Sequence, residues 1–332
     1  MKKMVKNICL IGCGEIGSRH LQALGKLSLD TRIHIVEPNI ESKNIAISRL
    51  DQVLLDKNQD RFLWYNSINE LQSCDLAIVA TLATGRREQI IQLLEKGITR
   101  FVVEKMVCQS TFEYDLILSG MKKFNAKIWI NAVRRYFPLY QYIKKTISKN
   151  KPVSISVVTG NKGLGTNAIH YLDLLSWFTG DTNIHLNGEF LHKSLFPNRR
   201  GKNLIEFRGT ILGELKNGST ISVTSIPTFD MPINVQISND DDFFIFDEYG
   251  RNLFLKNSVV QDTNYNYEHV SSTTTKIVDD ILKKDDCYLP NIEQMYETHS
   301  ELFRIFNKLV EHCRSEVMIS ASSKTETLCP IT

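Results

Sequence analysis

The chain has 332 residues, and 40 Lys and Arg residues against 37 Asp and Glu residues leave a net charge of +3. This length suits two domains, and positive charge dispersed along the chain argues against nucleic acid as a partner. No apolar run approaches the roughly 20 residues of a membrane helix, so we expect a cytoplasmic protein with no membrane partner. Seven cysteines without a C-x-x-C pair argue against a disulfide framework and a zinc site, so no metal is expected.

Residues 7–20 join a short apolar run to three glycines and then to a helical pattern, which indicates a strand, a tight turn and a helix. Gly12 allows a sharp turn, Gly14 leaves room for a pyrophosphate against the backbone, and Gly17 lets the helix pack closely on the strand. The N–H groups at the helix start favour an anion there. We therefore predict a dinucleotide site whose contacts are Gly12, Cys13, Gly14, Glu15, Ile16 and Gly17.

An acidic residue, Glu37, follows the second predicted strand, residues 31–36. It lies 25 positions after Gly12 (37 minus 12), close to the spacing at which a carboxylate hydrogen-bonds the adenosine ribose. A carboxylate there repels a 2′-phosphate, so NAD is the expected cofactor and NADP is disfavoured. A solvated acid in a turn is the alternative.

Strands and helices then alternate up to residue 131, which predicts a doubly wound parallel α/β domain over residues 1–130. The predicted helices of this domain are 15–24, 40–50, 88–96 and 112–123, and its later strands are 61–65, 75–81, 100–105 and 127–131.

Beyond that point the strands stop alternating with helices, which predicts an α+β domain over residues 131–332 with a large open, mostly antiparallel sheet. Its predicted helices are 136–148, 274–283 and 292–313, and its predicted strands are 153–159, 184–192, 203–214, 219–225, 233–238, 243–246 and 252–255. Alternating apolar residues in 221–225 and 233–237 would give the sheet a second apolar face. We therefore expect a homo-dimer or homo-tetramer built through this sheet.

Further motifs follow the glycine turn along the chain. They are residues 80–81 and 104–105 at strand ends, residues 134–138 (RRYFP), and residues 166–180, which begin a helix. Together with the glycine turn they resemble the glucose-fructose oxidoreductase, inositol dehydrogenase and MocA family, over nearly the full length. The resemblance implies a Rossmann domain followed by an open-sheet substrate domain. It also implies NAD as cofactor and a small sugar or sugar derivative as substrate.

The resemblance implies that Lys105 sits beside the nicotinamide and the reacting carbon, with Glu104 and Thr81 among the cofactor contacts. Elementary physics agrees with this placement. Ligands of doubly wound sheets bind outside the carboxyl ends of the strands, where a cation stabilises negative charge on oxygen. The alternative is a surface lysine with a buried stem and a solvated head.

His170 matches the histidine that, in the family, usually accepts the proton from the hydroxyl being oxidised. Imidazole suits that role because its unperturbed pKa lies near neutrality. Asp173, three residues on and on the same helix face, is expected to orient the ring. Because this helix is apolar nearly all round, a buried structural histidine is the alternative.

The chain departs from the family at three positions. Many relatives carry an aspartate where this chain has Thr166, which cannot serve as a base, and a proline where it has Met106. A position that is commonly histidine is Arg86, which is expected to place positive charge near the cofactor or substrate. His170 is then left to act alone or with water.

Five further residues are expected to contact the substrate. Arg134 and Arg135 would fork onto a carboxylate or phosphate, with an interdomain salt bridge as an equal alternative. Tyr136, Lys162 and Asn167 are the other candidates, although the loop around Lys162 would equally serve as a glycine hinge.

The sequence thus predicts an NAD-dependent oxidoreductase that transfers a hydride between nicotinamide and a secondary hydroxyl or keto group of a sugar or sugar derivative. The Asn-x-x-His-x-x-Asp variant and the Pro-Ile-Thr ending most resemble a subgroup that accompanies surface-polysaccharide and acidic-sugar synthesis. Two rivals stay open. One is a nucleotide-binding sensor or regulator of the same fold that has lost catalysis, and the other is a glycoside hydrolase that retains NAD.

Overall fold

The computed structural model describes residues 5–54, 59–148, 150–198, 203–227, 231–240, 242–249, 252–255, 260–262, 270–313 and 329–331. The chain divides into two compact units. The first comprises Met1–Cys108, Glu113–Val133 and Glu268–Glu293, and the second comprises Gln109–Phe112, Arg134–Tyr267 and Gln294–Thr332. The expected boundary after residue 130 lies close to the change of unit after Val133. The segment Glu268–Glu293, expected in the second domain, belongs instead to the first unit.

Six parallel strands form the sheet of the first unit: β1 (Lys6–Ile11), β2 (Thr31–Val36), β3 (Phe62–Tyr65), β4 (Leu76–Val79), β5 (Arg100–Val103) and β6 (Lys127–Ile130). Their order across the sheet is β3-β2-β1-β4-β5-β6. Strand β4 is fully buried and apolar, and β1 and β5 are buried and apolar beyond their first residues, as expected for strands covered on both faces. The order reverses between β1 and β4, and ligands bind at such a switch point. The expected doubly wound parallel fold is confirmed.

Eight α-helices occur in the described ranges: α1 (Gly17–Gly25), α2 (Ile40–Asp51), α3 (Arg86–Glu95), α4 (Thr111–Lys123), α5 (Pro138–Thr146), α6 (Leu164–Thr179), α7 (Val270–Lys284) and α8 (Tyr296–His312). Their positions follow the apolar periodicity of the sequence, with ends displaced by a few residues.

Helix α7 and the residues after it belong to the first unit because they contact α1 and β6. The Thr275 hydroxyl of α7 donates to the carbonyl of Ala23 in α1 at 3.0 Å. Farther on, the Ile292 N–H donates to the Ile128 carbonyl at 2.9 Å, so this segment pairs with the edge strand β6. Contacts across such sequence separations leave no local signal, which is why the sequence assigned α7 to the second domain.

The second unit contains ten strands in its described residues: β7 (Ser154–Thr159), β8 (His185–Asn187), β9 (Phe196–Pro197), β10 (Ile205–Glu206), β11 (Gly209–Glu214), β12 (Thr220–Ser225), β13 (Asn234–Asn239), β14 (Asp242–Asp247), β15 (Asn252–Leu255) and β16 (Val260–Asp262). Eight of them form one sheet, β16-β15-β14-β13-β7-β12-β11-β8, while β9 pairs with β10. Only the β7–β12 pair of this sheet is parallel, so the expected open, mostly antiparallel sheet is confirmed.

The two faces of this sheet differ from the expectation. The alternating side chains of residues 221–225 and 233–237 are buried, and α6 packs against β11 and β12. The opposite face carries hydroxyl groups, with Ser222 donating to Ser156 at 3.2 Å. The residues named for a second apolar face were therefore the wrong ones, because they point into the core. The opposite face carries other apolar side chains, including Leu212, Phe243 and Ile245.

Candidate active site

The glycine turn follows β1, and two of its glycines are required by the packing of the protein itself. Gly12 has a φ of +81°, and a Cβ there would lie 2.7 Å from Cγ2 of Thr81. A Cβ at Gly17 would lie 2.0 Å from the Gly12 carbonyl oxygen. At Gly14 a Cβ would meet nothing within 4 Å, so the turn is open there. Helix α1 starts directly afterwards, with Ile16 as its N-cap, and the turn fits a pyrophosphate.

Glu37 is fixed over the glycine turn. One oxygen of its carboxylate accepts the Cys13 N–H at 2.7 Å, and the other accepts the Asn39 N–H at 2.9 Å. The residue is buried, unlike a solvated acid in a turn. Burial, together with the charge of Glu37, raises the pKa of the Cys13 thiol, which is therefore a packing residue at neutral pH. The Glu15 carboxylate lies on the outside and pairs with Arg49 at 2.9 Å.

Glu104 lies directly after β5, with its side chain buried. Its Oε1 is 2.6 Å from Nδ2 of Asn131 and 3.1 Å from Nε2 of His20, whose Nδ1 lies 2.8 Å from the Thr274 hydroxyl. Burial raises the pKa of Glu104, but the hydrogen bond and attraction of His20, the charge of Lys105 and the Asn131 amide outweigh it and bring the pKa to about 2. Because an ionised carboxylate only accepts hydrogen bonds, His20 carries a proton on Nε2.

Arg86, the first residue of α3, is fully buried, and its guanidinium binds backbone carbonyls. Nη1 donates to the carbonyls of Glu104, at 2.6 Å, and Met106, and Nη2 donates to the carbonyl of Thr81. The peptide bond between Lys105 and Met106 is cis. The guanidinium fixes the backbone on both sides of Lys105, and the expectation that Arg86 places its charge near a ligand stays a prediction.

These contacts define what we call the Lys105 frame, made of His20, Arg86, Glu104 and Asn131. The frame joins α1, α3, β5 and the end of β6 around one lysine. Lys105 itself is buried and contributes its charge to the low pKa of Glu104.

Both arginines of the 134–138 stretch are buried in ion pairs within the second unit. Arg134 binds Glu248 through Nε at 2.6 Å and Nη2 at 2.8 Å, and Arg135 binds Asp173 through Nε at 3.0 Å and Nη2 at 2.6 Å. The salt-bridge alternative describes this geometry, but the partners lie within one unit and not in different domains. Asp173, expected to orient His170, has both oxygens bound by Arg135. Burial raises its pKa against the opposing charge of Arg135.

Helix α6 carries the remaining candidates on its first two turns. His170 is buried, and Thr166 donates its hydroxyl proton to Oε2 of Glu206. The Asn167 amide donates to the carbonyls of Lys162 at 2.7 Å and of Gly163 at 3.0 Å, so it closes the loop ahead of the helix. Asn167 is therefore engaged with this loop, whereas Thr166 is tied to a carboxylate that the sequence did not assign.

Several residues of these networks were missed by sequence reasoning. His20 gave a weak signal, a polar residue on the buried side of α1. Glu206 gave a clearer one, because it is an acidic residue inside the apolar run Leu-Ile-Glu-Phe, residues 204–207. Glu248 gave none. Tyr136, named as a substrate contact, is buried in the 3₁₀ turn Val133–Tyr136 beside the two arginines.

Two absences concern the described ranges alone. There, no group of three or more His, Cys, Asp and Glu side chains is arranged to hold a metal ion. No helix in that part of the chain combines the length and apolar character that a membrane span requires.

No protein-family model and no curated protein matches the chain. Solved structures do match its fold. UDP-N-acetylglucosamine 3-dehydrogenase from Acidithiobacillus ferrooxidans is 13% identical with a TM-score of 0.68, over 91% of this chain and 97% of that one. Levoglucosan dehydrogenase, solved with NADH and levoglucosan, is 15% identical with a TM-score of 0.68, over 95% and 98%. A myo-inositol dehydrogenase from Corynebacterium glutamicum is 14% identical with a TM-score of 0.64, over 94% and 98%.

At these identities the likeness shows the fold, and it does so over nearly the whole of each chain. The architecture that the sequence resemblance implied, a Rossmann unit together with a large open sheet, is confirmed. The three structures named above are those of dehydrogenases, and other matches include an oxidoreductase from Agrobacterium radiobacter crystallised with NAD+.

Proposed function

We propose that this protein is an NAD-dependent oxidoreductase that transfers a hydride between nicotinamide and a secondary hydroxyl or keto group of a sugar or sugar derivative. The observation that carries this proposal is the Lys105 frame, in which a lysine and an ionised, buried glutamate are held just beyond the carboxyl end of β5. Strand β5 is two positions from β1 in the sheet. At about 4.8 Å per strand, roughly 10 Å separate the glycine turn from the frame, which suits a dinucleotide.

The residues of the first unit have distinct roles in this proposal. Gly12, Gly14 and Gly17 would hold the pyrophosphate, and the Glu37 carboxylate would accept hydrogen bonds from the adenosine ribose hydroxyls. When bound, the nicotinamide supplies or accepts the hydride. The protein binds and orients both reactants and manages the proton.

In the oxidising direction, Lys105 would hold the substrate oxygen with a fixed positive charge. His170 would accept the hydroxyl proton while the hydride leaves the same carbon with its electron pair. The O–H electron pair then becomes the second bond of the new carbonyl. In the reducing direction His170 returns the proton to the oxygen.

The substrate class is proposed by analogy with three proteins of similar fold. UDP-N-acetylglucosamine, levoglucosan and myo-inositol, named for these three, are all rings that carry secondary hydroxyls. The finer proposal, a role in surface-polysaccharide or acidic-sugar synthesis, is supported by the subgroup resemblance alone. Because Arg134 and Arg135 are paired with buried carboxylates, an acidic group on the substrate would need another cation, and Lys162 is the candidate.

Mass spectrometry of the ligands retained by the purified protein, followed by an absorbance screen for net NADH formation with sugars and sugar nucleotides, tests the proposal. We expect NAD to be retained and NADH to accumulate with one substrate class. A sensor would bind NAD without turnover, and a hydrolase would cleave a glycoside without net NADH. Either result would overturn the dehydrogenase assignment.

We also propose that copies of the chain pair through the hydroxyl-bearing face of the large sheet. A groove of about 400 Å³ lies on this face, and Leu212 within it is 37% exposed. A second copy would cover both. Light scattering of the wild type and of Leu212→Lys tests this, with a dimer or tetramer expected for the wild type and dissociation expected for the variant.

A further inference from the structure

The carboxylate of Glu206, on β10, is enclosed by the start of α6. Oε2 accepts the hydroxyl proton of Thr166, while Oε1 accepts the Thr166 N–H at 3.2 Å and the Phe207 N–H at 3.1 Å. The backbone N–H of Gly165 faces it as well. All four groups act as donors toward one buried carboxylate, so the surroundings are built for its ionised form, which only accepts hydrogen bonds.

Two glycines at the start of α6, the N-cap Gly163 and Gly165 in the first turn, make room for this side chain. A Cβ at Gly163 would lie 2.2 Å from Cδ of Glu206, and one at Gly165 would lie 2.6 Å from its Oε1. Contacts that short are excluded between real atoms. The loop that the sequence presented as a hinge or a substrate contact is therefore shaped around a carboxylate contributed by a strand 40 residues farther along the chain.

His170 lies on the face of α6 that carries Thr166. It follows Thr166 by four residues, which places both on one face of α6. Side chains of an α-helix lean toward its N-terminus, so the imidazole leans toward the turn that carries Thr166. Carboxylate, hydroxyl and imidazole are thus successive groups along one side of the helix.

Stability alone gives little reason to keep a carboxylate in this place. Burial raises the pKa of Glu206 and the four donors offset this only in part, so the ionised form is costly there. Its charged and titratable neighbours are Arg208, which it attracts, and the Cys329 thiol, whose pKa is raised by burial and by the charge of Glu206. Perturbed carboxylates of this kind concentrate at functional sites.

We propose that Glu206 is a positioning residue for His170: its negative charge, held beside the first turn of α6 by Thr166, favours the protonated imidazole one turn farther along the helix. This inference rests on the proposed function, because it takes His170 as the group that accepts the substrate proton. The negative charge would make that transfer more favourable and would itself stay on Glu206. No atom of Glu206 needs to touch the substrate.

The decisive measurement is the titration midpoint of His170, followed by NMR of the imidazole Cε1–H signal and assigned with His170→Asn. In Glu206→Gln we expect the midpoint to fall by about half a pH unit to one pH unit, the size expected for losing a charge about one helical turn away. Glu301→Gln is the matched control. This carboxylate also accepts a backbone N–H, that of Leu186, but lies on α8, so the midpoint should not move.

A relocation variant separates positioning from simple capping of the helix. Glu206→Gln combined with Thr166→Asp returns a carboxylate to the same turn of α6 and should restore the midpoint. If Glu206 only caps the helix, Glu206→Gln will lower the melting temperature and leave the midpoint unchanged, which overturns the proposal. If Glu206→Gln does not fold, Thr166→Val can be measured instead, because it removes only the hydroxyl that binds Glu206. An unchanged His170 midpoint in Thr166→Val would also overturn the proposal.

The titration needs neither NAD nor substrate, so it is independent of the screen for dehydrogenase activity. A protein that binds no NAD but shows the shift would disprove the proposed function and leave the Glu206–His170 link standing. On an identified substrate, Glu206→Gln should move the acidic limb of the kcat profile in the same direction as the NMR midpoint, with KM within about twofold of the wild type.

Discussion

Glu104 in the first unit and Glu206 in the second are both buried carboxylates, yet their pKa values move in opposite directions. Burial raises both. At Glu104, the hydrogen bond and attraction of His20 and the charge of Lys105 reverse the effect and bring the pKa to about 2. At Glu206, the hydroxyl of Thr166 and the backbone N–H groups only reduce it. A close cationic partner therefore lowers the pKa of a buried carboxylate more than neutral donors do.

We therefore propose different roles for the two units in hydride transfer. The Lys105 frame holds an ionised Glu104, whose pKa of about 2 keeps its charge constant near neutral pH, beside Lys105. Helix α6 carries His170, which we propose as the acceptor of the substrate proton. Hydride transfer from an alcohol needs both, because the developing charge on oxygen must be stabilised while one proton leaves.

Among the variants, His170→Asn should have the largest effect on turnover. We expect turnover to fall by roughly a hundred- to ten-thousand-fold and the acidic limb of the pH profile to disappear, since the proton acceptor is lost. His185→Asn, at an exposed histidine of the same unit, is the matched control and should be neutral.

NAD affinity by calorimetry must stay unchanged in His170→Asn. A variant that unfolds, or that turns over normally on an identified substrate, would show that His170 is structural. Asn167, Tyr136 or a water would then have to carry the proton.

Lys105→Met tests the proposal that the Lys105 charge stabilises the substrate oxygen. Removing one preorganised charge should lower kcat by about a hundred-fold or more, with the acidic limb unmoved because that limb is assigned to His170. Lys122→Met, at an exposed lysine of α4, should leave kcat within about twofold. A shift of the limb in Lys105→Met would place Lys105 among the proton-transferring groups and contradict the division of roles.

The two glutamates should also differ in how stability depends on pH. The folded pKa of Glu104 is depressed to about 2, so its contribution is complete above the unfolded value and is lost as pH falls toward 2. Glu104→Gln should therefore cost roughly 3 kcal/mol at pH near 7 and progressively less in acid. The folded pKa of Glu206 is raised, so its stabilising contribution is present at low pH and is lost as pH rises. Glu206→Gln should be less destabilising at neutral pH than in acid.

Urea unfolding of the wild type and both variants between acid and neutral pH measures these opposite slopes. Parallel slopes would mean that the two carboxylates have the same electrostatic environment and would undo the comparison.

The sequence predicted the parts of the site whose partners are local. The glycine turn, its helix and Glu37 were readable because a strand, a turn and a helix lie within 37 residues. The partners of Glu104 and Glu206 were not readable, since His20 is 84 residues from Glu104 and Thr166 is 40 residues from Glu206. Side-chain pairs over such distances depend on how the strands are ordered, which periodicity does not encode.

Arg86 also has partners that could not be predicted from the sequence. Arg86 follows Gly85 at the start of α3, beyond the carboxyl end of β4, and a cation there was reasonably expected to face a ligand. What the sequence did not reveal was the cluster of carbonyls from Thr81, Glu104 and Met106 that the folded loop presents to it. Backbone acceptors carry no sequence signature, so a buried arginine and a ligand-binding arginine look alike before folding.

Glu37 extends the comparison to a third buried carboxylate, held by two backbone N–H groups, and gives the smallest expected effect. A 2′-phosphate beside it would lie unpaired against a negative charge. We expect NAD to bind about ten- to a hundred-fold more tightly than NADP, on the order of 1 to 3 kcal/mol. Glu37→Gln keeps the shape and removes the charge, so this preference should shrink toward equality. Glu41→Gln, at an exposed acid in the first turn of α2, should leave it unchanged. Calorimetry with both cofactors measures the ratio. Equal affinities in the wild type would mean that nearby cations such as Arg32 and Lys43 compensate the carboxylate, and that Glu37 does not select the cofactor.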